Sequence, residues 1–415
     1  MVSNESAPLP ESLASLPNEA RDHLDAATAL RRGLHEWPEI GNDLPRTREQ
    51  VLGTLEGLPL RIELHETTSG IVAFLEGDHP GPTVLLRGDM DALPMPEDTG
   101  LDFASRVDGA MHACGHDLHT AMLAGSARLL STRRGELHGR VMFMFQPGEE
   151  GHHGAQHMID EGMMNVGALA SGTESPVTGA FAIHVTSLLP TGFTASRPGP
   201  VMASSDSFAI RLIGKGGHGS EPYRTLDPVP AACEIVQALQ TMVTRRIDVF
   251  NPTVLTVTKI HAGTAFNVIP ETAEIGGTIR AITESTRRKV HDGIRRVAEG
   301  IAAAHELDVE VTVNDGYSVT ANDPAHASLV ARLSNAVAGA GRHVELPHPV
   351  MGAEDFGVVL ERVPGAMMFL GATPHDRDLS KVAPNHSNRV FYEEEAMNTG
   401  IALYSAAALT HLQRA

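Results

Sequence analysis

The sequence predicts an α/β protein with a mostly parallel sheet covered by helices on both faces, interrupted by a smaller α+β segment. Three observations predict it. At 415 residues the chain exceeds what one ordinary core supports. Short aliphatic runs alternate with helix-period segments through residue 200, and the same texture returns after 316. Between them, the order strand, helix, strand, strand, helix, strand is the split-βαβ signature of a ferredoxin-like domain. Residues 1–200 and 317–415 are therefore read as one discontinuous domain, and 201–316 as an insertion into it.

The elements follow in order. Residues 1–17 are rich in Ser, Pro and Glu and read as loosely ordered. Glu19 to Trp37 suits a helix that ends at Pro38. Strands are expected near 58–65, 70–76, 82–88, 140–145 and 180–185, with helices near 118–131 and 153–162. In the inserted segment, strands are expected at 208–213, 253–260, 273–281 and 308–313, with helices at 228–245 and 284–304. Helices near 323–339 and 392–413 complete the chain. Ligands of such sheets collect at the carboxyl ends of strands, where Asp89, Asp91, Gln146 to Glu150 and His184 are expected.

Composition narrows the function. There are 51 acidic against 32 basic residues, a formal charge of −19, and that field disfavours nucleic acid and anionic membranes as partners. No apolar run approaches the length of a membrane span, and the first residues lack the basic and apolar regions of a signal peptide. A cytoplasmic protein is expected. Two cysteines exclude a disulfide framework. Cys233, inside a helical stretch, reads as a buried filler.

Cys114 has a different setting, Cys114-Gly115-His116-Asp117. A thiolate beside an imidazole suits borderline transition metals better than calcium or magnesium. The neighbouring His112 and His119 are left outside the ligand shell. About one crossover later comes Gln146-Pro147-Gly148-Glu149-Glu150-Gly151. Adjacent carboxylates there can divide the labour, with Glu150 holding metal and Glu149 moving a proton. Acids favourably placed at a helix N-terminus are the plainer explanation, but two of them after Gln-Pro-Gly, in line with a Cys/His pair, favour the functional reading. His184 and His386 read alone as a satisfied strand histidine and a surface one, but two close metals need more donors than Cys114, His116 and Glu150 supply. Asp89 and Asp91 in Arg87-Gly88-Asp89-Met90-Asp91 suit bracing of ligands, or turn capping. Glu354, with Asp355, is another loop-borne acidic pair.

In the insertion, Gly214-Lys215-Gly216-Gly217-His218-Gly219 lacks the ending of a phosphate-binding loop. His218, between glycines, suits donation to a polarised carbonyl. Asn267 comes from the same segment, and Arg280 suits bidentate pairing with a substrate carboxylate. The chain has no His-Glu-x-x-His zinc helix and no Gly-x-Ser-x-Gly elbow.

Taken together, segments 87–94, 111–123, 146–162, 184, 214–218, 263–280, 351–356 and 386 resemble the aminoacylase/carboxypeptidase superfamily of dinuclear metallo-amidohydrolases. Met111-His112-Ala113-Cys114-Gly115-His116-Asp117 is similar to the hippurate hydrolase and auxin-conjugate hydrolase branch. The resemblance implies a zinc-peptidase-like catalytic domain with an inserted lid that often mediates dimerisation. It implies Cys114 as bridging ligand, His116, Glu150, His184 and His386 as the others, and Glu149 as general base. Two divalent ions per subunit are implied, zinc or manganese first, cobalt or nickel next. The expected substrate is an N-acyl amino acid, and the expected assembly a homodimer or larger homo-oligomer. A dipeptidase, a carbamoyl-amide hydrolase, a deacetylase of a biosynthetic intermediate, or a non-catalytic ligand-binding protein remain as alternatives.

Overall fold

The computed structural model describes residues 9–414. They form two compact units, one of residues up to 201 with 321–348 and 358–415, the other of residues 202–320 with 349–357.

The first unit is organised by an eight-stranded sheet. Its first strands are β1 (Arg61–Leu64), β2 (Ile71–Glu76), β3 (His79–Asp89), β4 (His138–Gln146) and β5 (Val177–Pro190). Across the sheet the order is β1, β2, β4, β3, β5, then the strands Gly365–Thr373, Thr194–Ser196 and His343–Glu345. The central neighbours β4, β3, β5 and Gly365–Thr373 pair in parallel, and β2 runs antiparallel to β4. A strand covered on both faces needs no polar alternation. Accordingly Val141 to Gln146 and all of Gly365–Thr373 are buried.

Helix α1 (Leu16–Glu36) buries a stripe of Leu16, Ala20, Ala27, Leu30 and Leu34 at helical spacing. Helix α2 (Pro45–Leu55) follows, with proline in its first turn where the missing N–H is harmless. Helix α3 (His116–Thr132) is buried along almost its whole length, and the helix Ala396–Arg414 packs against it. These helices and the sheet enclose one apolar core.

The second unit is a four-stranded antiparallel sheet of Thr253–Ala262, Thr272–Ala281, Ser205–Ile213 and Asp308–Tyr317, in that order. The helices Pro228–Arg246 and Glu284–Ala304 supply its core through Ala231, Ile235, Leu239, Val290, Ile294 and Ala298. Strand order and helix placement are those of a ferredoxin-like α+β domain.

Several expectations require correction. The loose N-terminal segment does not extend to residue 17. A 3-10 turn forms at Glu11–Ser15 and α1 starts at Leu16, because Leu13 and Leu16 have a core to enter; residues 1–8 lie outside the described residues. Cys233 is exposed rather than buried. Its helix buries 231, 232, 235, 239 and 242, which leaves position 233 on the opposite face. His184 does not end a strand, since β5 continues to Pro190. The β3 ladder stops at Arg87–Ala182, however, so His184 lies past the last rung shared with β3, level with its final residue Asp89. The sequence reading also lacked α2 and the central strand Gly365–Thr373.

Candidate active site

At the carboxyl ends of β3 and β4 the chain leaves the sheet at Asp89 and Gln146. The loop after β3 carries Asp91, whose carboxylate accepts the backbone N–H of Glu149 through Oδ1 and that of Glu150 through Oδ2, each at 2.9 Å. One side chain thus fixes the direction of both acids. The Asp91 carbonyl accepts Nδ1–H of His116 at 2.9 Å. That bond leaves the lone pair of His116 on Nε2. Nε2 is buried, has no hydrogen-bond partner, and faces Asp89 Oδ2 at 3.4 Å and Glu149 Oε2 at 4.0 Å.

Cys114 precedes α3, whose N-cap, Gly115, takes the left-handed conformation with φ 87°. Its Sγ lies 3.4 Å from His184 Nε2 and 3.2 Å from His386 Nε2. His184 Nδ1 donates to the Val185 carbonyl at 2.8 Å, so its Nε2 also keeps a lone pair toward the thiol. His386 adopts a positive φ of 67° and reaches Glu150 Oε1 at 3.3 Å. Its loop is tied down by His386 N–H on the Ala113 carbonyl at 2.9 Å and by Asn385 Nδ2 on the Val185 carbonyl at 3.0 Å.

The donors fall into overlapping triads. Cys114, His116 and His184 form one, and Cys114, Glu150 and His386 another; within each, the ligating atoms lie within 4.8 Å of one another. Cys114 belongs to both. The triad of His116, Glu149 and Glu150 brings the second acid alongside. Eight of the residues singled out from sequence, Asp89, Asp91, Cys114, His116, Glu149, Glu150, His184 and His386, are therefore gathered here, from positions as far apart as 89 and 386.

Electrostatics favour positive charge in this space. Burial pushes the Cys114 thiol up, but the imidazoles of His184 and His116 outweigh it and bring it down to about 5. Hydrogen bonds to Cys114 and Glu150 lift His386 to about 10. Burial opposes charge on His116, yet Asp89 and Cys114 raise it well above the ordinary histidine range. The surroundings thus stabilise a cation at Nε2, whether a proton or a metal. A thiolate, three imidazoles and a carboxylate, with a buried lone pair lacking a hydrogen-bond partner, fit a pair of borderline divalent ions.

Behind the triads lies a layer of bracing contacts, for which the sequence reading named Asp89 and Asp91 but not Arg87. His119, left outside the ligand shell in the sequence reading, is fully buried within α3. Its Nε2 accepts Val185 N–H at 2.7 Å, and its Nδ1 donates to Asp89 Oδ1 at 2.6 Å. Arg87 donates to Asp89 Oδ2 at 2.7 Å and to Gln146 Oε1 at 2.8 Å. Burial alone would raise the Asp89 carboxyl, but Arg87, His116 and His119 hold it well below its usual value. The signal was position, since His119 follows three residues after His116 in the first turn of the same helix.

The remaining residues belong to the second unit. His218 lies opposite Val268 in a short ladder, and Gly219 N–H donates to the Asn267 carbonyl at 2.8 Å, so His218 and Asn267 are neighbours. Ser220 N–H donates to His218 Nδ1 at 3.2 Å, which leaves the ring hydrogen on an exposed Nε2. Arg280 is half-buried, donates to Thr278 Oγ1 at 2.9 Å, and has no carboxylate within ion-pair distance among the described residues. Glu354 is buried, with Oε1 accepting Phe356 N–H at 3.0 Å.

The pattern described as peptidase family M20/M25/M40 matches residues 85–410. The chain belongs to this family. Among M20 relatives, "Thermostable carboxypeptidase 1" of Saccharolobus solfataricus is 37% identical over 95% of this chain and 97% of its own length. "IAA-amino acid hydrolase ILR1-like 4" of Arabidopsis thaliana is 35% identical over 99% of this chain and 91% of its own. A crystal structure of the Bacillus subtilis YXEP protein, described as a dinuclear metal binding peptidase from M20 family, superposes with a TM-score of 0.80. It is 32% identical, covering 95% of this chain and 99% of that one. As an M20 protein, this chain is a metal-dependent hydrolase of amide bonds. None of its described helices is long and apolar enough to cross a membrane.

Proposed function

We propose that the protein hydrolyses the amide bond of N-acyl amino acids, with Glu149 as the proton-transfer group. The observation that carries this reading is the convergence of Cys114, His116, His184, Glu150 and His386 around one space, with Glu149 turned toward His116 Nε2. Cys114, His116 and His184 would hold one divalent ion, and Cys114, Glu150 and His386 the other. When bound, such a pair acidifies water and polarises a carbonyl. Zinc or manganese suits this mixed set first, cobalt or nickel next.

The chain's own residues do the rest. Glu149 is nearly buried beside His116, where a carboxylate can take a proton from water and return it to the leaving amine. Asp91 holds its backbone, so the acid acts from a fixed position. His218, with hydrogen on Nε2, donates to the developing oxyanion, from its own subunit or a partner's. Arg280 offers its unpaired guanidinium to the substrate carboxylate, with Asn267 assisting. The hydrolase names of the carboxypeptidase and IAA-amino acid relatives favour an amino acid on the amine side.

A homodimer formed through the second unit goes with this reading. Its edge strand Thr253–Ala262 exposes Val254 and Ile260, the segments before and after it in sequence expose Val249, Phe250 and Phe266, and an apolar antiparallel edge invites pairing. A cytoplasmic setting goes with this reading, since thiols are kept reduced there.

The decisive experiment is a panel of acyl amino acids, dipeptides and carbamoyl compounds given to metal-reconstituted protein and to Glu149→Gln. Glu149→Gln should bind metal normally and lose about 10²–10⁴-fold in kcat. Retained activity removes Glu149 as the base, and a preference for dipeptides or carbamoyl compounds removes the substrate class.

A further inference from the structure

Asp117 directly follows His116 in the first turn of α3, is fully buried, and points away from the donor cluster toward α1. Two side chains from α1 meet its Oδ2: Arg31 Nε at 2.8 Å and His35 Nδ1 at 2.8 Å. Neither contact is loose. Arg31 is itself buried, donates through Nη1 to Glu394 Oε1 at 3.1 Å, and stacks over Phe103 at 4.5 Å. His35 is buried too, and its Nε2 lies 3.3 Å from Glu97 Oε1. Glu394 is further held by Arg32 through bonds of 2.9 and 2.6 Å.

The candidate ligands Cys114 and His116 flank Gly115, a residue whose left-handed backbone supplies no side-chain contact of its own. This turn is anchored on one side by Ala113, whose carbonyl accepts Tyr392 Oη at 3.0 Å and His386 N–H at 2.9 Å. On the other side its anchor is the Asp117 carboxylate.

The geometry points to Arg31 and His35 as positioning residues for the metal site: by clamping Asp117 they fix the turn that aims Cys114 and His116 at a shared cation. The inference rests on the ligand reading given under Proposed function and extends it to a helix more than 75 residues upstream of Cys114. Groups that orient ligands from behind are worth about 10–100-fold in metal affinity.

The test uses Co²⁺ alone as probe, on the full chain. Cys114 is buried and Cys233 exposed, so alkylation of Cys233 is an internal reference for that of Cys114. In the wild type, Co²⁺ should produce a thiolate charge-transfer band and protect Cys114 from iodoacetamide. His35→Leu removes the Nδ1 donor at similar volume, and Arg31→Lys keeps the charge but loses the fork that spans Asp117 and Glu394. Both should bind Co²⁺ about 10–100-fold more weakly and lose Cys114 protection at temperatures well below unfolding, with Cys233 unchanged. His35→Asn, which retains a donor near Nδ1, should recover most of the affinity.

Variants that unfold earlier but bind Co²⁺ like the wild type, with the same band, overturn the inference and leave the ligand reading intact. Failure of both variants to fold overturns it as well, since their role is then structural. A wild type with no thiolate band overturns the ligand reading, and this inference with it.

Discussion

Gly115→Ala is the most searching single change at this site. Gly115 has φ 87° and ψ 19°, and a left-handed residue carrying a Cβ costs about 1–2 kcal/mol. The added carbon would sit 2.3 Å from Val185 Cγ2 and 3.3 Å from Tyr392 Cε2. Val185 cannot retreat easily. Its N–H is held by His119, and its carbonyl by both His184 and Asn385. Valine is also stiff about χ1, so relief must come from backbone movement, at about 1–3 kcal/mol. The sum is about 2–5 kcal/mol of lost stability. The same displacement separates Cys114 from His184, so metal content should fall along with stability. Urea unfolding of the metal-free protein measures the first effect, and elemental analysis after reconstitution the second. A variant with wild-type urea midpoint and full metal content would refute the argument that this turn is both strained and committed to ligation.

Other outcomes follow from the same geometry. Cys114→Ala should reduce bound metal as measured by elemental analysis, because both triads use its sulfur; unchanged stoichiometry would dismiss it as a ligand. His218→Ala should lower kcat with metal content and folding intact, and full kcat would remove its donor role. In the second unit, burial would raise the Asp206 carboxyl, but bonds from Arg287 and Gly316 N–H, with His291, hold it below the ordinary value; Glu284 faces Arg287, and Asp315 faces His291. A depressed carboxyl contributes stability that is present above its unfolded pKa of about 4 and lost as pH falls through the folded value. Asp206→Asn should therefore be less stable than wild type at neutral pH, by about 1–3 kcal/mol, and the gap should close below about pH 4. Parallel stability curves for the two proteins from pH 7 to 3 would contradict this.

Much of the architecture was legible because periodicity carries it. The strands Thr272–Ala281 and Asp308–Tyr317 and the helix Glu284–Ala304 stand where aliphatic spacing placed them. The strand Gly365–Thr373 was missed because it is buried on every side and mixes Gly, Ala and Met with few β-branched residues, so it carries neither alternation nor propensity. Cys233 was misplaced because a helical interior in sequence says nothing of which face is inward. The residues that touch in the site were legible as chemistry: a thiol, imidazoles and paired acids in loops. The Arg31, His35 and Asp117 contacts were not, since 86 residues separate Arg31 from Asp117 and each reads locally as an ordinary charged helix position.

The donors around Cys114 are not complete until His386 has joined them, and the whole second unit is translated in between. A growing chain leaving the ribosome therefore carries the Cys114, His116 and His184 triad long before the Cys114, Glu150 and His386 triad can form.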